Sequence, residues 1–396
     1  LGFGLGPAKS FRSGLTIGVG FVGIGLVVAL LVDNLGPAAQ AMVARFGINL
    51  TIIDIGWPGS ASLAWASPIA AIMLPIGLLV NFIMLITKTT KTMDVDIWNY
   101  WHFTFCGACV YAINGSIPLA ILAAVLFEIA MLKLADWTAP YMEKYYDLPG
   151  VSVPTGSTMA NSLIGIPLIW LIQKIPVIKD LKADPETIQK RFGIFGEPIF
   201  MGLILGCILG ALAGYDIGKT IQVGMAMAGV MVLMPRMVKL LMEGLIPISE
   251  AARNFLQKRF GEDSENSKLY IGLDAAVTTG HPAVIATALI LVPLTLLLAV
   301  ILPGNNMLPF GDLATIPFFV AMIVAAARGN IIHSVLSGLV VIGVCLLMGT
   351  ALAEFQTSMG VTANFKMPEG AALISSIDQA GNLVNFIIFK LISLFA

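Results

Sequence analysis

The sequence predicts an α-helical protein that crosses a membrane many times, and three observations lead to this fold class. Of 396 residues, 58% are hydrophobic and 11% are charged, whereas soluble domains carry about 25% charged residues. The stretches 55–87, 97–127 and 275–311 contain no Asp, Glu, Lys or Arg, and each exceeds the roughly 20 helical residues that cross the hydrocarbon. No stretch alternates like a membrane β-strand. The net charge of −1 provides no basic field, which excludes nucleic-acid binding.

Apolar segments predict nine membrane-crossing helices and two hairpins. Segments 154–175 and 370–395 are interrupted by Pro and Gly, so we predict re-entrant hairpins there. Irregular backbone is tolerated inside the membrane only where protein buries it or where it lines a water-filled cavity. Amphipathic segments 36–52 and 245–263 are predicted to lie along the membrane surface. The predicted crossings are 13–33, 61–87, 97–113, 117–134, 199–217, 221–240, 277–302, 313–327 and 331–352.

Sparse polar and proline positions indicate an internal repeat. The run TIGVG at 16–20 is echoed by TIQVG at 220–224. Because 199–217 precedes the second unit and no equivalent precedes the first, we expect a further span ahead of Leu1. The later matched pairs are Asp54 with Asp274, Pro75 with Pro293, Asp96 with Asp312, Asn114 with Asn330, and Pro154 with Pro368.

Charge placement predicts that the two repeats are inverted. With a cytoplasmic N-terminal end and non-crossing hairpins, all but four of the 22 Lys and Arg fall on the cytoplasmic side, as the positive-inside rule requires. The two units then run in opposite directions through the membrane. Inverted repeats are typical of transporters, whose substrate sites lie near the midplane at broken helices. The four exceptions are Arg45, Lys219, Lys366 and Lys390.

The cysteines indicate packing and not catalysis. Cys106, Cys109, Cys207 and Cys345 all lie in apolar segments, where a thiolate is disfavoured. Cys106 and Cys109 form a CxxC pair without further ligands nearby, so we predict no zinc or redox site, and no cofactor. Without an ATP-binding motif, energy for transport has to come from a gradient or from a separate protein.

Polar residues at the starts of spans are the main candidates for substrate binding. Asp96 and Asp312 occupy matched positions, and an ionisable side chain at membrane depth is costly unless it is paired or hydrated. The alternative is that both only cap helix N-termini. His102, with Asn99 one turn earlier, offers donors and acceptors suited to a polyol, and its alternative is a satisfied core histidine.

Irregular segments supply the other candidates. Trp57-Pro58-Gly59-Ser60 breaks the chain before a long span, and it combines an aromatic plane with backbone N–H groups and a hydroxyl. The alternative is a turn with an interfacial Trp. The remaining predicted substrate contacts, from the hairpins and the loop before Pro282, are Thr155, Gly156, Ser157, His281, Glu369, Gly370, Asp378 and Gln379.

Five motifs carry a family resemblance: GFVGIGL at 20–26, DIGWPGS at 54–60, VDIWNYWH at 95–102, FGIFGEP at 192–198 and LPFGDLAT at 308–315. Together they resemble the galactitol-type enzyme IIC of the bacterial phosphotransferase system, and the resemblance covers essentially the whole chain. It implies an inner-membrane permease for a sugar alcohol. A separate IIB protein, with IIA acting indirectly, would phosphorylate the substrate from a phosphocysteine on the cytoplasmic side.

The resemblance also implies a homodimer in which a core domain moves like an elevator against a V-shaped scaffold, with one more span at each end of the chain. The scaffold would be 13–33 with 199–240, and the core 54–175 with 270–395, joined by the two amphipathic segments. His102, Asp96 and Asp312 are the groups that we nominate to assist phosphoryl transfer.

Two other functions remain open at this point. An ion-coupled secondary transporter of a polyol or sugar is the main alternative, because inverted repeats, hairpins and paired intramembrane Asp residues serve it equally well. A passive channel is third, since re-entrant segments occur there too.

Overall fold

The computed structural model describes residues 6–47, 50–181, 183–187, 197–260, 269–309, 311–365, 367 and 372–392. Within these ranges the chain is mostly helical with several apolar helices, which is consistent with the predicted polytopic membrane protein. The α-helices are α1 (Pro7–Phe46), α2 (Gly56–Ala66), α3 (Ala70–Ile86), α4 (Tyr100–Asn114), α5 (Ile117–Lys144), α6 (Gly156–Ile172), α7 (Pro198–Leu212), α8 (Ile217–Phe260), α9 (Ala276–Thr279), α10 (Pro282–Ile301), α11 (Ile316–Ala326), α12 (Ile331–Ala351), α13 (Ala353–Thr362) and α14 (Leu383–Ile392).

Four helices are long and apolar enough to cross a membrane among the described residues: α5, α10, α12 and the Pro7–Val27 part of α1. The α2–α3 pair would be a fifth span, and it is bent by 95°. Several other apolar helices, α6 and α11 among them, have only 10–17 residues and are too short to cross the hydrocarbon alone. The nine crossings therefore stay a prediction.

Two helices are longer than predicted. We expected 13–33 and 36–52 to be separate elements, and likewise 221–240 and 245–263, but α1 has 40 residues and α8 has 44. Pro37 lies inside α1. Ending a helix leaves several backbone groups unpaired, whereas an internal proline removes one hydrogen bond, so continuation is favoured in lipid. The surface position of the two amphipathic segments stays a prediction.

Two predicted spans are interrupted. The predicted 61–87 helix breaks between α2 and α3, and the predicted 277–302 helix breaks between α9 and α10. Ser67 and His281 stand at the breaks with extended backbone, at ψ 150° and 131°. Each precedes a proline, which disfavours helical geometry in the residue before it. By contrast, the predicted 117–134 span continues to Lys144 as α5.

Short strands are the feature that the all-α prediction missed. They form two parallel three-stranded sheets: β1 lies between β5 and β6 in one, and β4 lies between β2 and β3 in the other. Strands of two or three residues are too short to produce a recognisable alternation in sequence. The strands are β1 (Ile52–Asp54), β2 (Thr92–Asp94), β3 (Val151–Ser152), β4 (Tyr270–Gly272), β5 (Met307–Leu308) and β6 (Leu373–Ser375).

Helix α4 lies at the centre of the packing. Every residue from Tyr100 to Val110 is buried, as expected for a helix covered on all sides. Helices α2, α5 and α13 pack on it, while α6 packs with α11 and α12. On the other side, α8 packs along both α1 and α7. Gly202, Gly206 and Gly210 of α7 bring its backbone close to that of α8, as small residues do between membrane helices.

Gly311 is predicted to be required where the second half of the chain meets the start of α2. A Cβ at this position would lie 2.5 Å from the carbonyl oxygen of Asp54 and from the nitrogen of Gly56. We expect Gly311→Ala to lower the free energy of unfolding by about 1–3 kcal/mol through overpacking. Gly18→Ala is the matched control, because nothing lies within 4 Å of its added Cβ. Equal thermal unfolding midpoints for the two purified variants would contradict a close backbone approach at Gly311.

Candidate functional site

A cavity of about 360 Å³ lies just beyond the carboxyl ends of the strands. All six strands contribute residues that follow them within about ten positions, the arrangement in which parallel sheets bind ligands. Its size falls in the usual range for small-molecule sites. The lining residues are Gly25, Trp57, Asp96, Trp98, Trp101, His102, Thr155, Ser157, Asp274, Ala276, Thr315, Phe318 and Asp378.

Part of the predicted set lines this cavity. These residues are Trp57, Asp96, His102, Thr155, Ser157 and Asp378. Sequence reasoning missed most of the aromatic wall, although Trp98 and Trp101 stand in the same motif as His102. It also missed Asp274, which had been matched to Asp54 in the repeat and not considered for the site. Thr315 ends the motif at 308–315 but was not singled out, and nothing local in the sequence marked Phe318.

The other predicted residues do not line the cavity. Asn99, Gly156, Asp312 and Gln379 contact residues that do. Gly59 lies in α2 outside the lining. Ser60 accepts a hydrogen bond from Gln356 Nε2, and His281 contacts Tyr145. Glu369 and Gly370 lie outside the described residues.

Asp312 lies outside the cavity lining and binds two of its residues. Its two carboxyl oxygens accept hydrogen bonds from the backbone N–H groups of Trp57, at 2.7 Å, and Asp378, at 3.0 Å. Asp54 in turn accepts from the N–H groups of Gly56 and Asp312, at 2.9 and 2.8 Å. Both carboxyl groups are fully buried. Asp312 therefore positions two lining residues, a role different from the direct contact that we predicted.

Asp96 combines the two roles that the sequence left open. Its Oδ1 accepts a hydrogen bond from the N–H of Trp98 at 3.1 Å, so it caps the helical turn that follows. Its Oδ2 accepts from the N–H of Asp274 at 3.0 Å, and the residue lines the cavity. Capping and site membership are thus compatible.

Thr155 connects the first predicted hairpin to the opposite half of the chain. Its hydroxyl accepts a hydrogen bond from the N–H of Ala275 at 2.8 Å and donates to Asn99 Oδ1 at 3.0 Å. Asn99 also donates from Nδ2 to Asp94 at 3.0 Å. These contacts fix the loops after three different strands relative to one another.

His102 is held on two sides. Its ring stacks on that of Trp101, with centroids 4.0 Å apart. Its Nδ1 lies 2.5 Å from Nε2 of Gln379, which also donates to Asp378 at 3.0 Å. Asn385 donates from Nδ2 to the side-chain oxygen of Gln379. His102 is 3% exposed, so its orientation is set by these contacts.

The lining combines aromatic surface with oxygen acceptors. Trp57 packs edge-on against Trp98, with ring centroids 5.8 Å apart. Three Asp residues line the cavity, and among the described lining residues none is Lys or Arg. Such a surface accepts hydrogen bonds from hydroxyl groups and covers C–H faces with aromatic rings. Within the described ranges, no group of three His, Cys, Asp or Glu side chains is placed to hold a metal.

The cysteines of α4 face other packed helices. Cys106 donates weakly to the carbonyl of Ala123, and Cys109 contacts the sulfur of Met359. Neither forms a disulfide, and both are buried. Their surroundings fit the predicted packing role.

Comparison with known proteins gives consistent matches along the chain. A family described as the PTS system sugar-specific permease component, EIIC-GAT, matches residues 1–370. The galactitol-specific EIIC component of the PTS of Escherichia coli strain K12 is 42% identical over 390 residues, covering 98% of this chain and 85% of that protein. A putative permease IIC component of the same strain is 39% identical over 386 residues, covering 98% and 87%.

Thr155 provides a test of the hydrogen bonds that join it to Ala275 and Asn99. Thr155→Val preserves shape but leaves the N–H of Ala275 and the Oδ1 of Asn99 without their partner, which we expect to cost about 1–3 kcal/mol of stability. Thr155→Ser keeps the hydroxyl and is the matched control. Thermal unfolding of the purified variants measures the difference. Identical midpoints for the Val and Ser variants would show that the hydroxyl does not join the two halves.

Proposed function

The chain belongs to the EIIC-GAT family of PTS sugar-specific permease components, and from this premise we propose that it carries galactitol or a closely related sugar alcohol across the bacterial inner membrane. The observation that carries the substrate class is the cavity, with its aromatic rings, carboxyl oxygens and hydroxyl groups. The 42% identity to a galactitol-specific EIIC component supports the particular polyol.

The cavity suits an uncharged polyhydroxylated chain. Carboxyl oxygens of Asp96, Asp274 and Asp378 accept hydrogen bonds from hydroxyl groups, while Trp57 and Trp98 cover the C–H edges of the carbon chain. The hydroxyl of Ser157 and the ring of His102 add further polar contacts. A polyol would therefore exchange its hydrogen bonds with water for hydrogen bonds with the protein.

We also propose that transport is coupled to phosphorylation by a separate IIB protein. The sulfur–phosphorus bond of its phosphocysteine would break, an oxygen–phosphorus bond would form on a substrate hydroxyl, and the hydroxyl proton would pass to a base in the cavity. Asp96 lines the cavity and is suited to accept it, whereas Asp312 lies outside the lining. The cysteines of this chain that are buried in helices, Cys106, Cys109 and Cys345, are poorly placed to act as phosphodonors.

We propose further that the fold consists of two inverted repeats. From α1 to α6, the chain passes through a long helix, a strand, a broken helix pair, a strand, two helices, a strand and a helix. The order from α8 to α14 corresponds, with α13 as an addition. In each sheet, the central strand comes from one unit and both flanking strands come from the other, which supports an exchange-symmetric arrangement.

An elevator mechanism in a homodimer is the last part of this proposal. Helices α1, α7 and α8, which contain the expected scaffold segments, pack together. The cavity is built mainly from 54–175 and 270–395, the expected core, so a moving core would carry the bound polyol with it. Gly25 of α1 also lines this cavity. This position fits a fixed scaffold surface past which the core would carry the substrate.

The test uses the purified protein in lipid vesicles that contain phosphorylated IIB protein, with labelled galactitol added outside. We expect galactitol phosphate to accumulate inside only with this partner. IIB whose phosphorylated cysteine is replaced by serine is the matched control. Accumulation of unmodified galactitol, driven by an imposed H⁺ or Na⁺ gradient without IIB, would instead support the ion-coupled transporter.

Anionic analogues are expected to bind poorly. Galactonate differs from galactitol by a carboxylate at one end, and the described lining supplies carboxyl groups but no Lys or Arg to compensate its charge. Burying an uncompensated anion is costly. We expect competition against labelled galactitol to show at least about 10-fold weaker binding of galactonate, a difference of about 1.4 kcal/mol. Equal affinities would mean that a cationic group reaches the substrate.

A further inference from the structure

His102 presents only one of its two ring nitrogens to the cavity. Nδ1 is in contact with the Gln379 amide nitrogen at 2.5 Å. Among the described residues, Nε2 has no hydrogen-bond partner and is not among the atoms sealed from solvent, while the residue lines the cavity. The chemical character of Nε2 therefore decides what His102 can do to a bound polyol.

The orientation of the Gln379 amide is fixed by neighbouring groups. Nδ2 of Asn385 donates to the backbone carbonyl of Gln379 at 3.0 Å, and a carbonyl can only accept. The same Nδ2 donates to Oε1 of Gln379 at 3.2 Å. Nε2 of Gln379 is thereby turned toward His102 and toward Oδ2 of Asp378, which accepts from it at 3.0 Å. Reversing the amide would place two acceptors against each other at Asp378.

The hydrogen bonds from Asn385 to Gln379 and from Gln379 to His102 select one protonation form of the imidazole ring. Because Gln379 donates to Nδ1, that nitrogen has to be the unprotonated acceptor, and the proton of a neutral imidazole then resides on Nε2. An imidazolium would set an N–H donor against the amide donor. Rotation of the ring is restricted because Trp101 stacks on its face.

We propose that Gln379 and Asn385 are positioning residues that hold His102 as the Nε2–H tautomer, and that His102 donates a hydrogen bond from Nε2 to a substrate hydroxyl oxygen. This gives His102 a specific role as hydrogen-bond donor, where the sequence nominated it only as one of three groups that assist phosphoryl transfer. The inference rests on the proposed function for the identity of the substrate. In phosphoryl transfer, the hydroxyl proton would then go to a cavity carboxylate. His102 would hold the substrate in position through its hydrogen bond.

The tautomer can be measured without substrate. The chain has three histidines, so ¹⁵N-histidine labelling of the wild-type protein, with His102→Gln to identify the His102 signals, resolves both ring nitrogens. We expect an unprotonated Nδ1 and a protonated Nε2. In Gln379→Glu, a carboxylate replaces the amide donor and attracts a proton to Nδ1, so the His102 signals should change accordingly. A protonated Nδ1 in the wild-type protein would overturn the proposal.

Substitutions of His102 separate a donor from a base. The amide nitrogen of a glutamine side chain reaches the position of Nε2, whereas asparagine reaches only that of Nδ1. We expect His102→Ala and His102→Asn to weaken galactitol binding by about 10-fold, the usual effect of one lost hydrogen bond. His102→Gln should recover most of that affinity together with IIB-dependent phosphorylation.

A role of His102 as base would give a different pattern of results. If His102 were the base, His102→Gln would bind galactitol and still lose phosphorylation as fully as His102→Ala, and this result would reject the donor role. Failure of the wild-type protein to bind galactitol would reject the proposed substrate, while the ¹⁵N measurement would still decide the tautomer. Thermal unfolding of each variant checks that it is folded.

Discussion

Backbone hydrogen bonding inside the membrane is the constraint on which the rest of this structure depends. A helix that begins or ends away from water leaves N–H or C=O groups that lipid cannot satisfy. Here the chain stops repeatedly, and buried carboxylates accept the resulting donors. Asp312 accepts from Trp57 and Asp378, and Asp54 accepts from Gly56 and Asp312. The two small parallel sheets pair much of the remaining irregular backbone.

The same constraint locates the cavity. Parallel strands place their carboxyl ends together within each sheet. Residues that follow all six strands line one cavity, and every lining residue except Gly25 follows a strand. Carboxylates used for backbone pairing thus stand next to the space where a substrate would bind. Asp96 shows how one side chain serves both purposes, because it caps a helical turn, holds Asp274 and faces the cavity.

Hydrogen-bond direction then determines what each group can offer. Carboxyl oxygens offer mainly acceptors, so a polyol, whose hydroxyl groups both donate and accept, also needs donors from the protein. The proposed Nε2–H of His102 would supply one. Its dependence on Gln379 and Asn385 explains how residues outside the cavity lining can influence substrate binding, through the tautomer and not through direct contact.

The sequence by itself determined the membrane class, the family motifs and several cavity residues, because hydropathy and local motifs are properties of neighbouring positions. Trp57, Asp96 and His102 could be found this way. The strands, the helix breaks and the positioning role of Asp312 were decided only by the tertiary structure. Strands of two or three residues carry no pattern, and the partners of Asp312 lie far along the chain. Whether a buried carboxylate contacts substrate or backbone depends on what folding brings to its oxygens, which no local spacing encodes.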